Sequence, residues 1–365
     1  MKTISLTCPI STHTGYGITS FNIFKAFPSV GYDPLLFPIG NSSVETEEAK
    51  VLVETSAKRA KAEFKKNDPC LKIWHQFDLS ARVGSGTYGA LVFFEIDKMN
   101  PVEVNMLNNV DIAFVASGWA KDILESEGVT SKIVVSPLAV DSKVFYPSKT
   151  INLENPDNPE TYVFMNIGKW EIRKGHDILV EAFNKAFTKD DNVELRMMNH
   201  NPFLTVEENG VWAKMYKESQ LGDKITILDR VGTHADVAKI INQSDCGIFP
   251  ARAEGWNNEI PEFMACNKPV ITTNYSAHTQ YCNEGNAYLI DIEAKTQAKD
   301  DHFFRNGVGE WADLGEKQVD QLVEHMRFVY KNNIRENPNG VQTASQLSWQ
   351  NTAKILGDNL HANSV

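Results

Sequence analysis

Glu254 and Glu262 stand eight residues apart in Phe249-Pro-Ala-Arg-Ala-Glu-Gly-Trp-Asn-Asn-Glu-Ile-Pro-Glu262, a stretch that reads as a loop running into a helix. Some eighty residues earlier, Gly168-Lys-Trp-Glu-Ile-Arg-Lys-Gly175 places Lys169, Arg173 and Lys174 where a strand gives way to a helix. Cations beside the free amides of a helix start suit a diphosphate, and they act most strongly when a departing phosphate gains charge. A carboxylate close to that diphosphate is repelled by it. Glu262 therefore fits a vicinal diol such as ribose, and Glu254 fits the hydroxyls of a sugar. Together the two segments describe a site for a nucleotide diphosphate sugar. Each part alone has a plainer explanation: a solvated basic turn, an exposed loop acid, a helix start decorated with negative charge. Gly255, Trp256 and the two amide side chains of Asn257 and Asn258, ahead of a capped helix, tip the balance towards function. Asn258 is the expected N-cap, Pro261 is tolerated in the first turn, and Asn267 should end the helix in the left-handed position. The helix field is expected to keep Glu262 ionised.

Weaker signals lie elsewhere. In Thr12-His-Thr-Gly-Tyr-Gly17, Gly15 and Gly17 would let backbone amides approach a phosphate, although the spacing is not Gly-x-Gly-x-x-Gly. Arg230, in Asp229-Arg-Val-Gly-Thr233, follows a strand and would lie near a base. His75 ends a strand and either faces ligand or bonds to backbone. Glu95 either orients an acceptor or secures a loop.

Short apolar runs alternating with amphipathic ones must position these residues. Strands are expected over 4–8, 71–75, 89–94, 112–116 and 133–136, with helices over 16–27 and 45–66. A stretch rich in proline and asparagine, 146–160, reads as a linker between a first domain, 1–145, and a second, 161–344. The second repeats the alternation, with strands over 162–167, 193–198, 225–228, 246–250, 270–273 and 287–290. Its expected helices cover 176–187, 235–243 and 319–330. Residues 293–314 read as an ordered insertion or a lid, and 345–365 as a terminal helix that packs back on the first domain, its apolar residues falling within 345–356. The fold class is α/β: two Rossmann-like domains whose parallel sheets face a central cleft.

Length, charge and cysteine content narrow the classes. A chain of 365 residues exceeds the size at which one core keeps growing. A formal charge of -11 argues against nucleic-acid binding. Five scattered cysteines read as buried thiols of a cytoplasmic protein, and no spacing suggests a metal. No signal peptide or bilayer-length apolar run stands out.

The residues above resemble a family: the retaining GT-B glycosyltransferases of family 4, glycosyl transferases group 1. Gly168 to Gly175 is similar to the family's glycine, basic residue, variable positions and lysine-glycine; Glu254 to Glu262 is similar to its pair of glutamates. The resemblance implies that Lys169 and Lys174 bind diphosphate beside Arg173, that Glu254 faces the donor sugar and Glu262 holds ribose. It gives the amides of Trp256 to Glu259 to sugar and phosphate, Gly15 to the donor phosphate, and His75 a place beside the sugar. Phe93-Phe-Glu95, Met106 to Asp111, Ser117-Gly-Trp119, Pro137 to Asp141 and the ending at Ser348-Trp349 resemble further family segments. The chain departs from the family at Lys169, where arginine is usual and the guanidinium fork is lost, and at Asn257, Asn258 and Asn267.

The activity so implied is sugar transfer from a UDP-sugar or GDP-sugar, without metal or other cofactor, to a hydroxyl of a glycan, lipid-linked or small-molecule acceptor. Lys169, Lys174, Glu254 and His75 would be catalytic and Glu95 on the acceptor side. The expected place is cytoplasmic, with a peripheral position at the inner membrane surface open to it. A nucleotide-sugar epimerase or hydrolase, or a non-catalytic binding protein, are the competing classes.

Overall fold

The computed structural model describes residues 1–148, 160–300, 302–304 and 308–362. Most of the expected linker, 149–159, lies outside the described residues. The chain divides into two compact units, Met1–Ala139 with Leu347–Val365, and Val140–Gln346.

The first unit holds β1 (Lys2–Cys8), β2 (Tyr32–Pro38), β3 (Cys70–Ile73), β4 (Tyr88–Val92), β5 (Ile112–Val115) and β6 (Lys132–Val135), in the order β2-β1-β3-β4-β5-β6. Every pairing is parallel. β4 and β5 are buried along their whole length, as strands covered by helices on both faces must be, which is why they read as apolar runs without alternation. β2 escaped the sequence reading because Pro34 and Pro38 interrupt its pattern. It lies at the sheet edge, where a missing N–H is tolerated.

Within the terminal segment 345–365 the helix runs Trp349–Ala362, and a separate helix, Pro338–Gln346, precedes it. The helix Trp349–Ala362 packs on the first unit: Gly357 lies so close to Tyr32 that a Cβ there would come within 2.3 Å of the ring. The Tyr32 hydroxyl donates to Asp358 at 2.5 Å.

The second unit holds β7 (Tyr162–Gly168), β8 (Val193–Asn199), β9 (Ile225–Ile227), β10 (Cys246–Phe249), β11 (Val270–Thr273) and β12 (Tyr288–Ile290), in the order β12-β11-β10-β7-β8-β9, again all parallel. Phe164, Leu195, Ile248 and Ile271 from the strands meet Leu179, Phe183, Leu322 and Met326 from helices in one core. The region 293–314 contributes a short antiparallel pair, β13 (Lys295–Gln297) and β14 (Glu310–Ala312).

Both strand orders reverse direction once. In the first sheet the reversal falls between β1 and β3, and in the second between β7 and β10. In open parallel sheets, ligands bind outside the carboxyl ends of the strands at such a reversal. The loops after β1 and β3 carry Gly15, Gly17 and His75; those after β7 and β10 carry the three cations and Glu254.

Candidate active site

In the second unit the loop after β7 is built around Gly175. Its φ is 73°, and a Cβ there would sit 2.0 Å from the Pro250 carbonyl oxygen at the end of β10. Glycine alone permits this approach without displacing backbone. Trp170 anchors the other side: it is buried, lies parallel to Trp212 at 5.9 Å and offers its carbonyl to the Asn201 amide at 3.0 Å. The buried His176 holds the Lys169 carbonyl at 2.8 Å through Nε2. Arg252 ties the two loops together, its main-chain N–H donating to the Arg173 carbonyl at 2.7 Å and its guanidinium forking onto Asp177.

So positioned, the charged side chains form one network. Arg173 reaches Glu171 at 2.7 Å and Glu254 at 2.8 Å, and also donates to the Ala253 carbonyl at 2.7 Å. Lys174 donates to the other Glu254 oxygen at 2.7 Å and lies 3.7 Å from Glu259. Lys169, more exposed, contacts Glu171 at 2.6 Å, with its ammonium 5.4 Å from the rings of both Phe203 and Phe303. Burial alone would raise the Glu254 carboxyl; Arg173 and Lys174 outweigh it and hold Glu254 well below the usual carboxylate range. Burial would likewise lower Lys174, but Glu254 and Glu259 keep it above the usual lysine range. Glu254 and Lys174 are thus both charged at neutral pH with partners in place, the condition under which buried ions are tolerated.

Two expectations about the helix Glu259–Ala265 need correction. Asn258 precedes it, but in helical conformation and with no side-chain cap bond. Asn257, at a φ of 71°, does the capping, its Oδ1 accepting from the Ile260 N–H at 3.2 Å. Nor does the helix field prevail at Glu262: burial, and then the neighbouring Glu259 carboxylate, raise its carboxyl above the ordinary value. Asn267 does take the left-handed position, with a φ of 60°. Trp256 is buried against Tyr281 at 4.7 Å with its indole N–H unbonded, and Tyr281 donates to the Trp256 carbonyl at 2.6 Å. Gly255 is buried in the same loop, and Arg230 is exposed beyond β9.

In the first unit Tyr16, unremarked in the sequence, is the meeting point. Its ring lies 4.7 Å from His75, 5.8 Å from Trp74 and 5.1 Å from Phe93, and the field of Glu95 acts on its hydroxyl. His75 also stacks on Phe77 at 5.0 Å, and burial lowers its pKa. The glycines differ in role. Gly15 is exposed and open, at the start of the helix Gly15–Ala26, whereas a Cβ at Gly17 would meet Ser11 at 2.4 Å. Gly17 therefore serves packing.

Sequence reasoning also missed Glu171, which neutralises Lys169 and Arg173 from within their own loop. Its position between those two cations was a signal for it. Among the described residues no three histidine, cysteine or acidic side chains group in a way that would hold a metal, and no helix is long and apolar enough to cross a membrane.

Residues 161–300, which carry this network, match the family model of glycosyl transferases group 1. That segment of the second unit is thus similar to group 1 glycosyltransferases. Curated relatives agree over a similar length. An uncharacterised glycosyltransferase of Methanocaldococcus jannaschii is 24% identical over 44% of this chain and 38% of its own. A GDP-mannose-dependent alpha-(1-6)-phosphatidylinositol dimannoside mannosyltransferase of Mycobacterium tuberculosis is 22% identical over 47% and 43%. The match thus spans less than half of these relatives.

Solved structures extend the likeness in fold to both units. Sucrose-phosphate synthase from Thermosynechococcus elongatus superposes with a TM-score of 0.72 at 15% identity, covering 99% of each chain. Anabaena HepE, solved in complex with UDP-glucose, gives 0.70 at 14% identity, covering 99% of this chain and 100% of its own. The chain therefore has the GT-B fold.

Proposed function

We propose that this chain transfers a sugar from a nucleotide diphosphate sugar to a hydroxyl acceptor, with retention of anomeric configuration and without a metal. The observation that carries the reading is the convergence of Lys169, Arg173 and Lys174 with Glu254 at the ends of adjacent strands where the sheet order reverses. The cations exchange part of their hold on Glu171 and Glu254 for the diphosphate. Glu254 accepts hydrogen bonds from sugar hydroxyls, Glu262 meets the ribose diol, and the amides from Trp256 to Glu259 line the phosphate side. Gly15 contributes a helix-start amide, and Arg230 lies towards the base. As the bond from the anomeric carbon to the diphosphate breaks, Lys169 and Lys174 stabilise the charge left on phosphate. The acceptor oxygen attacks the same face, and the departing phosphate oxygen takes its proton.

The donor is a UDP-sugar or a GDP-sugar, the two kinds with which HepE and the mycobacterial relative are respectively associated. The acceptor is a glycan, lipid-linked or small-molecule hydroxyl, met on the side of His75 and Glu95. The protein acts in the cytoplasm, or peripherally at the inner membrane surface. Labelled UDP- and GDP-sugars incubated with and without a panel of acceptors test this. Acceptor-dependent transfer, a linkage with the donor's anomeric configuration by NMR, and full activity in EDTA are expected. Donor turnover indifferent to acceptor indicates a hydrolase or epimerase, and nucleotide binding without any turnover a binding protein; either overturns the proposal.

A further inference from the structure

Glu254 lies in a loop without regular structure, yet both of its main-chain polar groups are held by one short turn, Ser276–Gln280, that follows β11. The Ser276 hydroxyl accepts the Glu254 N–H at 2.9 Å, and the next residue, Ala277, donates its N–H to the Glu254 carbonyl at 3.3 Å. The turn is itself fixed. Thr279 donates through Oγ1 to the Ser276 carbonyl at 2.8 Å. His278 is fully buried, with Nδ1 at 3.0 Å from Thr272 Oγ1 and 3.2 Å from the Thr273 carbonyl. The Thr272 and Thr273 hydroxyls commit their single protons to the carbonyls of Phe249 and Ala251. Nδ1 therefore meets only acceptors and must carry the proton itself. That N–H pins the turn to the end of the sheet.

Ser276 adopts a φ of 56°, a left-handed conformation that glycine takes freely and serine does not. A residue selected for the turn alone would be glycine. The hydroxyl is what glycine lacks, and the Glu254 N–H is what it binds.

We propose that Ser276 is a positioning residue that sets Glu254 for the donor sugar by capturing its main-chain N–H. The inference rests on the glycosyltransferase reading and deepens it. With Arg173 and Lys174 gripping the carboxylate and the turn gripping the backbone, Glu254 is fixed at both ends, as a group that must discriminate a transition state has to be.

Three substitutions separate this from a purely structural role. Ser276→Gly relieves the left-handed strain while removing the hydroxyl. Its melting temperature should equal or exceed that of the parent, while kcat for transfer falls roughly tenfold, about the loss of one hydrogen bond, with the donor KM within about twofold. Ser276→Thr keeps the hydroxyl in a conformation that suits a β-branched residue poorly. It should melt lower and retain kcat. Ser276→Ala should lose both. Parental kcat in Ser276→Gly overturns the proposal, since any residue fitting the turn would then suffice. If the parent transfers no sugar, the functional reading fails by itself, and crystal structures of the parent and Ser276→Gly decide the positioning: a displaced Glu254 backbone supports it and an unmoved one overturns it.

Discussion

Replacing Glu254 with glutamine should weaken the protein and slow transfer, yet tighten its hold on a nucleoside diphosphate. In the free protein the carboxylate neutralises Arg173 at 2.8 Å and Lys174 at 2.7 Å. Glu254→Gln leaves two buried cations short of one anion. Breaking such a pair costs about 3–5 kcal/mol, and the lower end applies because the amide oxygen still accepts one bond and Glu171 still faces Arg173. Diphosphate binding moves the other way. A carboxylate about 6 Å from a phosphate charge, at an effective dielectric of about 20, repels it by roughly 3 kcal/mol. Its removal bounds the gain at about 100-fold, and screening reduces this to roughly tenfold. Transfer should fall about 10- to 100-fold with the loss of charge-assisted bonds to the sugar. Calorimetric titration with UDP and with GDP, melting curves with and without the nucleotide, and a sugar-transfer assay read the three effects. The variant should melt lower alone but gain more from ligand than the parent does. If folded Glu254→Gln binds the nucleotide no better than the parent, Arg173 and Lys174 do not face its phosphates and the reasoning fails.

Gly175→Ala forces a Cβ into the Pro250 carbonyl at a left-handed φ; a loss above about 2 kcal/mol in urea unfolding is expected, with transfer lost in parallel because Lys174 shifts, and parental stability contradicts the locked-loop account. Acidification tests the buried titrating groups. Burial pushes His176 and His278 down to about 4 from an ordinary 6.5, so the unfolded chain takes up their protons first and stability falls as pH drops from 6.5 towards 4, by at most roughly 1.4 kcal/mol per unit for each. Glu262 acts oppositely: its raised pKa keeps a proton in the fold that the unfolded chain releases above about 4.5, so its contribution is present at low pH and lost as pH rises. Glu262→Gln, a neutral isostere, should therefore steepen the loss of stability on acidification towards pH 5 in urea midpoints, and parallel curves for variant and parent would show that the fold does not raise the Glu262 carboxyl.

What could be read beforehand, and what could not, follows from the range of the interactions involved. β7, β10 and the helix His176–Ala186 were legible because burial on both faces writes continuous apolar runs, and Lys169, Lys174 and Glu254 were legible because strand ends are where such folds put chemistry. The left-handed Asn267 was legible because its consequence is local. Asn257 and Asn258 are adjacent amides with the same capping chemistry, and only the φ of 71° at Asn257 decides which one turns its oxygen to the helix. Glu262 went astray because a helix start predicts an ionised carboxylate from sequence position alone, while desolvation and Glu259 act through space and outweigh it. Ser276 sits 22 residues from the Glu254 amide it binds, and Glu171 gains meaning only when Arg173 folds back on it. The pairing that most needs three dimensions is thus the one between two loops 80 residues apart, where Lys174 and Glu254 meet. Their charges were visible as candidates, but their mutual neutralisation in the free protein was not. That neutralisation implies a site poised to exchange one anion for another: the diphosphate enters by competing with glutamates already in place. A donor that binds this way should bind more tightly as the resident carboxylate is removed, which ties the electrostatics of the empty site to the order of affinities expected of its variants.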